Sequence, residues 1–133
     1  MADKRTEIMD AAEARIRSAG YSGFSFRELA SDVGVKSSSI HYYFPAKEDL
    51  GVAVAQRYAY RFFEELGQGS GERAQRLAVA FDKAIHSDGK MCLCGALGAT
   101  SASLPAPVAL EATSFFRRAL EFLLDGSKPS AVS

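Results

Sequence analysis

Residues 25–50 read SFRELASDVGVKSSSIHYYFPAKEDL, and the reading of this stretch decides the fold. Ser25 and Glu28 stand at Ser-x-x-Glu spacing, in which a hydroxyl and a carboxylate can satisfy the free amides at a helix start. Leu29, Ala30 and Val33 follow at helical spacing and make one buried stripe. Gly34 interrupts where the backbone needs a left-handed or open conformation to turn. A second helix can begin at Ser37, with Ile40 and Phe44 facing inward. Pro45 ends it, because proline lacks the amide and disfavours helix in the residue before it. Two short helices across a tight turn are the plan of a helix-turn-helix, whose second helix can enter a DNA major groove.

Working outward, residues 3–19 carry Ile8, Ala11, Ala12, Ile16 and Ala19 on one helical face. The break at Gly20–Gly23 leaves Tyr21 and Phe24 to pack under the turn. Downstream, Leu50, Val54, Tyr58, Phe62 and Leu66 form an i+4 series, which predicts a longer helix from Lys47 to about Leu66. The run Gly67-Gln68-Gly69-Ser70-Gly71 is a loop. A further helix is expected over about 72–87, with Leu77, Ala80, Phe81, Ala84 and Ile85 inward. The small, glycine-containing residues 88–103 predict a short, imperfect helix. Pro105 opens a last helix to about 124, proline being harmless in a first turn. The fold class is all-α.

The order Gly34-Val35, Ile40, Tyr42-Tyr43-Phe44 and Lys47-Glu48-x-Leu50, preceded by Ala19-Gly20-Tyr21 and Phe24-Ser25, resembles the DNA-binding domain of the TetR/AcrR transcriptional regulators. The resemblance covers roughly the first 50 residues. It implies a helix-turn-helix domain over 1–46, a helical ligand-binding and dimerisation region over 47–125, and a flexible tail over 126–133. By the same resemblance, Arg27 reaches a base edge or phosphate, and Ser25 with its neighbouring amides suits a phosphate oxygen. Ser37, Ser38 and Ser39 let the reading helix approach the groove and offer hydroxyls to bases. His41 and Tyr42 project from its middle, and Tyr43 and Lys47 match backbone-contacting positions. His41 stands where relatives usually carry tyrosine. Relatives usually continue into two long carboxy-terminal helices that pack across the dimer; the expectation here is a short form without them, its dimer interface and pocket left to the helices present.

Charge sets a limit on this reading. The first 50 residues hold seven Lys/Arg and eight Asp/Glu, and the chain is neutral overall. Affinity for a phosphate backbone must therefore come from local placement of Arg27, Lys36 and Lys47, with helix amino termini facing phosphates. No run approaches the roughly 20 apolar residues that span a bilayer. The charged start lacks the apolar segment of a signal peptide, so the protein is expected in the cytoplasm, with no membrane partner. Cys92 and Cys94, one residue apart, are no disulfide framework.

The implied activity is that of a repressor that binds double-stranded operator DNA as a homodimer and is released by a small apolar effector. Tyr58, Phe62, Phe81, Ile85 and Leu97 are the candidate pocket residues. Phe115, Phe116, Phe122, Leu123 and Leu124 wrap too far round the last helix for burial on one side, so this helix and the 91–100 segment are the expected dimer surface. No catalytic motif, cofactor fingerprint or four-ligand metal set is present, so neither an enzyme nor a cofactor is expected. Two alternatives stay open. One is a dimerisation or interaction module that no longer binds DNA. The other is a redox or metal sensor built on Cys92 and Cys94.

Overall fold

A computed structural model describes residues 3–86, 91–98 and 103–125. Seven α-helices and no strand occur among them: α1 Lys4–Ala19, α2 Phe26–Val33, α3 Ser37–Tyr43, α4 Lys47–Gln68, α5 Arg73–His86, α6 Leu93–Gly98 and α7 Ala106–Asp125. A 3₁₀ turn, Tyr21–Gly23, joins α1 to α2. The expected tail over 126–133 lies outside the described residues, as do 87–90 and 99–102 at the two ends of the short helix α6.

The helix ends follow from local chemistry. Asp3 caps α1 by accepting from the Thr6 amide at 2.8 Å. Ser25 caps α2, accepting from the Glu28 amide at 3.2 Å while donating to the Glu28 carboxylate at 3.1 Å. Gly34 closes α2 in the left-handed region, φ 81°. The Gly34 and Val35 amides both donate to the Ala30 carbonyl, at 2.9 and 3.0 Å, so two donors satisfy one helix end. The Asp49 carboxylate reaches back to the Ala46 amide at 2.9 Å, which is half of a capping box because Ala46 has no side-chain acceptor. α4 runs two residues past the expected Leu66 before Gly69 ends it.

Two apolar clusters meet along α4. The first gathers Ile8, Ile16, Leu29, Ile40, Leu50 and Val54 with Leu93, Leu97 and Val108. The three amino-terminal helices thus share a core with α6 and the first half of α7. Gly51 marks the tightest crossing: a Cβ there would stand 2.9 Å from the Tyr21 ring and 3.1 Å from Val108. The second cluster is aromatic. Phe115, fully buried, is its hub, with the rings of Phe62, Phe63, Tyr58 and Phe81 at 5.0, 5.2, 6.0 and 6.2 Å.

Two sequence expectations need correction. Ile85, placed inward, is 45% exposed, and no residue of α5 is fully buried. The helix is covered on one side only, by α4 and α7, so the far edge of its stripe meets solvent. Residues 91–98, placed at a dimer surface, are mostly interior: Cys92, Leu93, Cys94, Ala96 and Leu97 are buried within this chain. Their small side chains let α6 sit close against α1 and α7. The wide stripe of α7 does divide as its width implies. Phe115 and Phe122 point inward, whereas Phe116, Leu120 and Leu124 form an exposed outer row.

Candidate nucleic-acid interface

α3 is held by Ile40 and Phe44, both buried against α1 and α2, so its remaining face is free to project. Lys36 occupies the N-cap position, and its side chain makes no capping bond. Ser37, Ser38 and Ser39 therefore stand inside the helix, and none of their hydroxyls has a hydrogen-bond partner among the described residues. A serine at the cap itself would have used its hydroxyl on a backbone amide.

Ser38, Ser39, Tyr42 and Tyr43 share a groove of about 470 Å³ with Val35 and with Lys4 and Ile8 of α1. Tyr42 is 81% exposed, and its ring meets Tyr43 edge-on at 5.1 Å. Apart from that one edge contact the ring faces solvent. Lys4 escaped the sequence reading. It begins α1, and no periodicity pairs it with α3; only the crossing of the two helices brings it there.

His41 is oriented by two neighbours. Its ring stands edge-on to Phe26 at 4.7 Å, and Nδ1 lies 3.2 Å from the Pro45 carbonyl oxygen. A carbonyl only accepts, so this bond places the proton on Nδ1 and leaves Nε2 as an acceptor in the neutral ring.

Arg27 and Lys36 are exposed and carry no ion pair among the described residues, so both charges remain available to phosphate. Ser25 differs, because its hydroxyl both donates to and accepts from Glu28. Lys47 differs too: its ammonium sits 4.5 Å from the Tyr21 ring and 4.4 Å from the Phe24 ring. Burial lowers its pKa, opposed by the charge of Glu28. A phosphate contact by Lys47 requires that ammonium to leave the two rings.

Two acidic residues near this face share one cation. Arg15 of α1 bridges Glu28 at 2.9 Å and Asp32 at 2.6 Å. One arginine for two carboxylates leaves this cluster net negative, so attraction to phosphate still rests on the local placement of Arg27 and Lys36.

The five candidate pocket residues separate. Tyr58, Phe62 and Phe81 belong to the aromatic cluster. Leu97 is fully buried in the other cluster, and Ile85 is at the surface. Tyr58 and Phe62 also border a polar groove of about 200 Å³ against α1 and α5. Among the described residues no group of three or more His, Cys, Asp or Glu is placed to hold a metal ion. No helix there is long and apolar enough to cross a membrane.

Comparison with known proteins bears on the whole arrangement. Residues 8–54 match the family model described as bacterial regulatory proteins, tetR family. The crystal structure of a TetR transcriptional regulator from Legionella pneumophila superposes with a TM-score of 0.83 and 32% identity, covering 95% of this chain and 74% of that one. A TetR-family regulator from Agrobacterium tumefaciens gives 0.77 and 26% identity, over 92% and 72%. The HTH-type transcriptional repressor NemR of Escherichia coli is 27% identical over 88 residues, 63% of this chain and 44% of that repressor's length. With the amino-terminal match, the shared helical order and the coverage of the Legionella protein, the chain belongs to the tetR family of bacterial regulatory proteins.

Proposed function

We propose that this protein is a DNA-binding transcriptional regulator: a cytoplasmic repressor that reads operator duplex through α3 and leaves it when a small molecule binds. The observation that carries the reading is the free face of α3. The Ser38 and Ser39 hydroxyls project there without hydrogen-bond partners among the described residues, beside the exposed Tyr42 ring and flanked by the available charges of Arg27 and Lys36. Hydroxyls and one aromatic ring suit base edges and thymine methyls, at about 1–3 kcal/mol per good contact. The flanking cations suit phosphates, which set register without reading sequence.

Reading a pseudo-palindrome needs two heads about one helical turn, roughly 34 Å, apart. The exposed row Phe116, Leu120 and Leu124 on α7 supports a homodimer, since an apolar row of this kind on one helix marks a contact surface. The family, and the course of α4 from the amino-terminal helices into the aromatic cluster, support a small-molecule effector.

Fluorescence anisotropy with the gene's own upstream duplex, titrated in salt against a scrambled duplex, tests the reading. Sequence-selective binding is expected. Arg27→Ala should weaken all duplexes and reduce the salt slope by about one, and Tyr42→Ala should change the preference among sequences. Equal, weak binding to both duplexes would leave the interaction module as the better account.

A further inference from the structure

Arg118 on α7 is 8% exposed, yet its guanidinium has no ion pair among the described residues. Its Nε and Nη2 atoms are enclosed and without a hydrogen-bond partner. These two atoms form the side-on edge of the guanidinium, whose parallel N–H bonds match the two oxygens of a carboxylate. A buried cation with two unmet donors is costly, so this edge calls for an explanation.

The surroundings say what would match. The guanidinium lies over the Phe63 ring at 4.4 Å, beside the aromatic cluster centred on Phe115 and close to the buried Cys94. One turn back on α7 is Ser114, half-buried, and one turn on is Glu121, exposed. Tyr60 of α4, one turn from Phe63, is also exposed. Arg118 therefore lies at the seam between α4 and α7, against the Phe63 ring and within one turn of exposed positions. Glu111 and Glu121 lie near enough to act on its charge, but neither pairs with it.

We propose that Arg118 anchors a small amphipathic carboxylate at the α4–α7 seam, the acid on the Nε–Nη2 edge and the apolar body against Phe63 and its neighbours. The identification of this molecule as the effector rests on the regulator reading above; the site itself does not. Binding displaces the side chains that now cover the edge, and α4 would carry the displacement toward α1 and the turn under Gly51.

Thermal unfolding with 4-phenylbutyrate and octanoate, each against its neutral amide, tests this on the full chain. The carboxylates should raise the midpoint in a dose-dependent way, and the amides should not. Arg118→Met should weaken the response by about tenfold or more, and Arg118→Lys, which keeps the charge without the fork, should fall between. Equal responses to acid and amide, or an unchanged response in both variants, would overturn the site. So would a loss of stability in Glu111→Gln or Glu121→Gln that is absent in the Arg118→Met background, which would show an internal partner. Operator anisotropy without any probe molecule is measured separately, so a failure to read DNA is distinguishable from failure of this site.

Discussion

Without a ligand, Arg118 should weaken the fold, and replacing it should strengthen it. The substitution Arg118→Met keeps most of the aliphatic volume over Phe63 and removes the charge. Two enclosed N–H donors lack acceptors, and each such group costs about 1–3 kcal/mol. The cation over Phe63 at 4.4 Å offsets up to about 2 kcal/mol of this. The two donors together cost about 2–6 kcal/mol, so after the offset methionine gives a net gain of about 2 kcal/mol at the middle of that range, in the same direction as apolar replacement of buried ion pairs. For a chain of this size that is roughly 3–5 °C in Tm per kcal/mol. Urea unfolding followed by far-ultraviolet circular dichroism reads it as a higher midpoint at unchanged slope. A lower midpoint by about 1 kcal/mol or more, at the same slope, would falsify the reasoning, because it would mean that the guanidinium already has an acceptor in solution.

Three further outcomes follow from named contacts. Phe115→Ala should cost about 3–5 kcal/mol in the same urea experiment, because the hub ring is fully buried among its neighbours; Phe116→Ala, on the exposed row, should cost about 1 kcal/mol or less, and equal costs would contradict the assignment of the two faces. Acid should destabilise the protein in a defined window. The Thr6 amide holds Asp3, and the Arg15 guanidinium holds Asp32, below the ordinary carboxylate pKa. Their stabilisation is complete above the unfolded value of about 3.9 and is lost as pH falls through the lower folded values. Arg15→Gln should remove the Asp32 share and flatten the acid limb, so an unchanged limb counts against it. Burial pushes the Cys94 thiol far up, so iodoacetamide at pH 8 should modify it only in urea. Modification of the native protein at the rate of an exposed thiol would bring back the thiol-sensor reading.

Much of this could be read from residues alone, for a physical reason that differs by element. The boundaries of α2 and α3 were legible because Ser25, Gly34 and Pro45 each act on the backbone within a few residues of themselves. The aromatic hub was legible in part: Phe115 and Phe62 lie on apolar stripes whose period marks them as inward. Ile85 lies on a similar stripe and is nevertheless exposed, because a stripe states which face could be buried and not whether another helix reaches it. Leu97 failed as a pocket residue for the converse reason, since the small residues around it draw α6 into the amino-terminal core.

The sequence by itself determined the all-α class, the positions of the turns and the bounds of α2 and α3, because caps, glycine turns and apolar periods are local properties of the chain. Only the tertiary structure decided what each polar side chain is free to do. Arg15 is committed to Glu28 and Asp32, and Lys47 to two aromatic faces. Lys4 joins α3, and Arg118 is enclosed with its fork empty. Those outcomes depend on how separate helices cross, and a long charged side chain can reach several partners from one backbone position. Its period in the sequence names none of them.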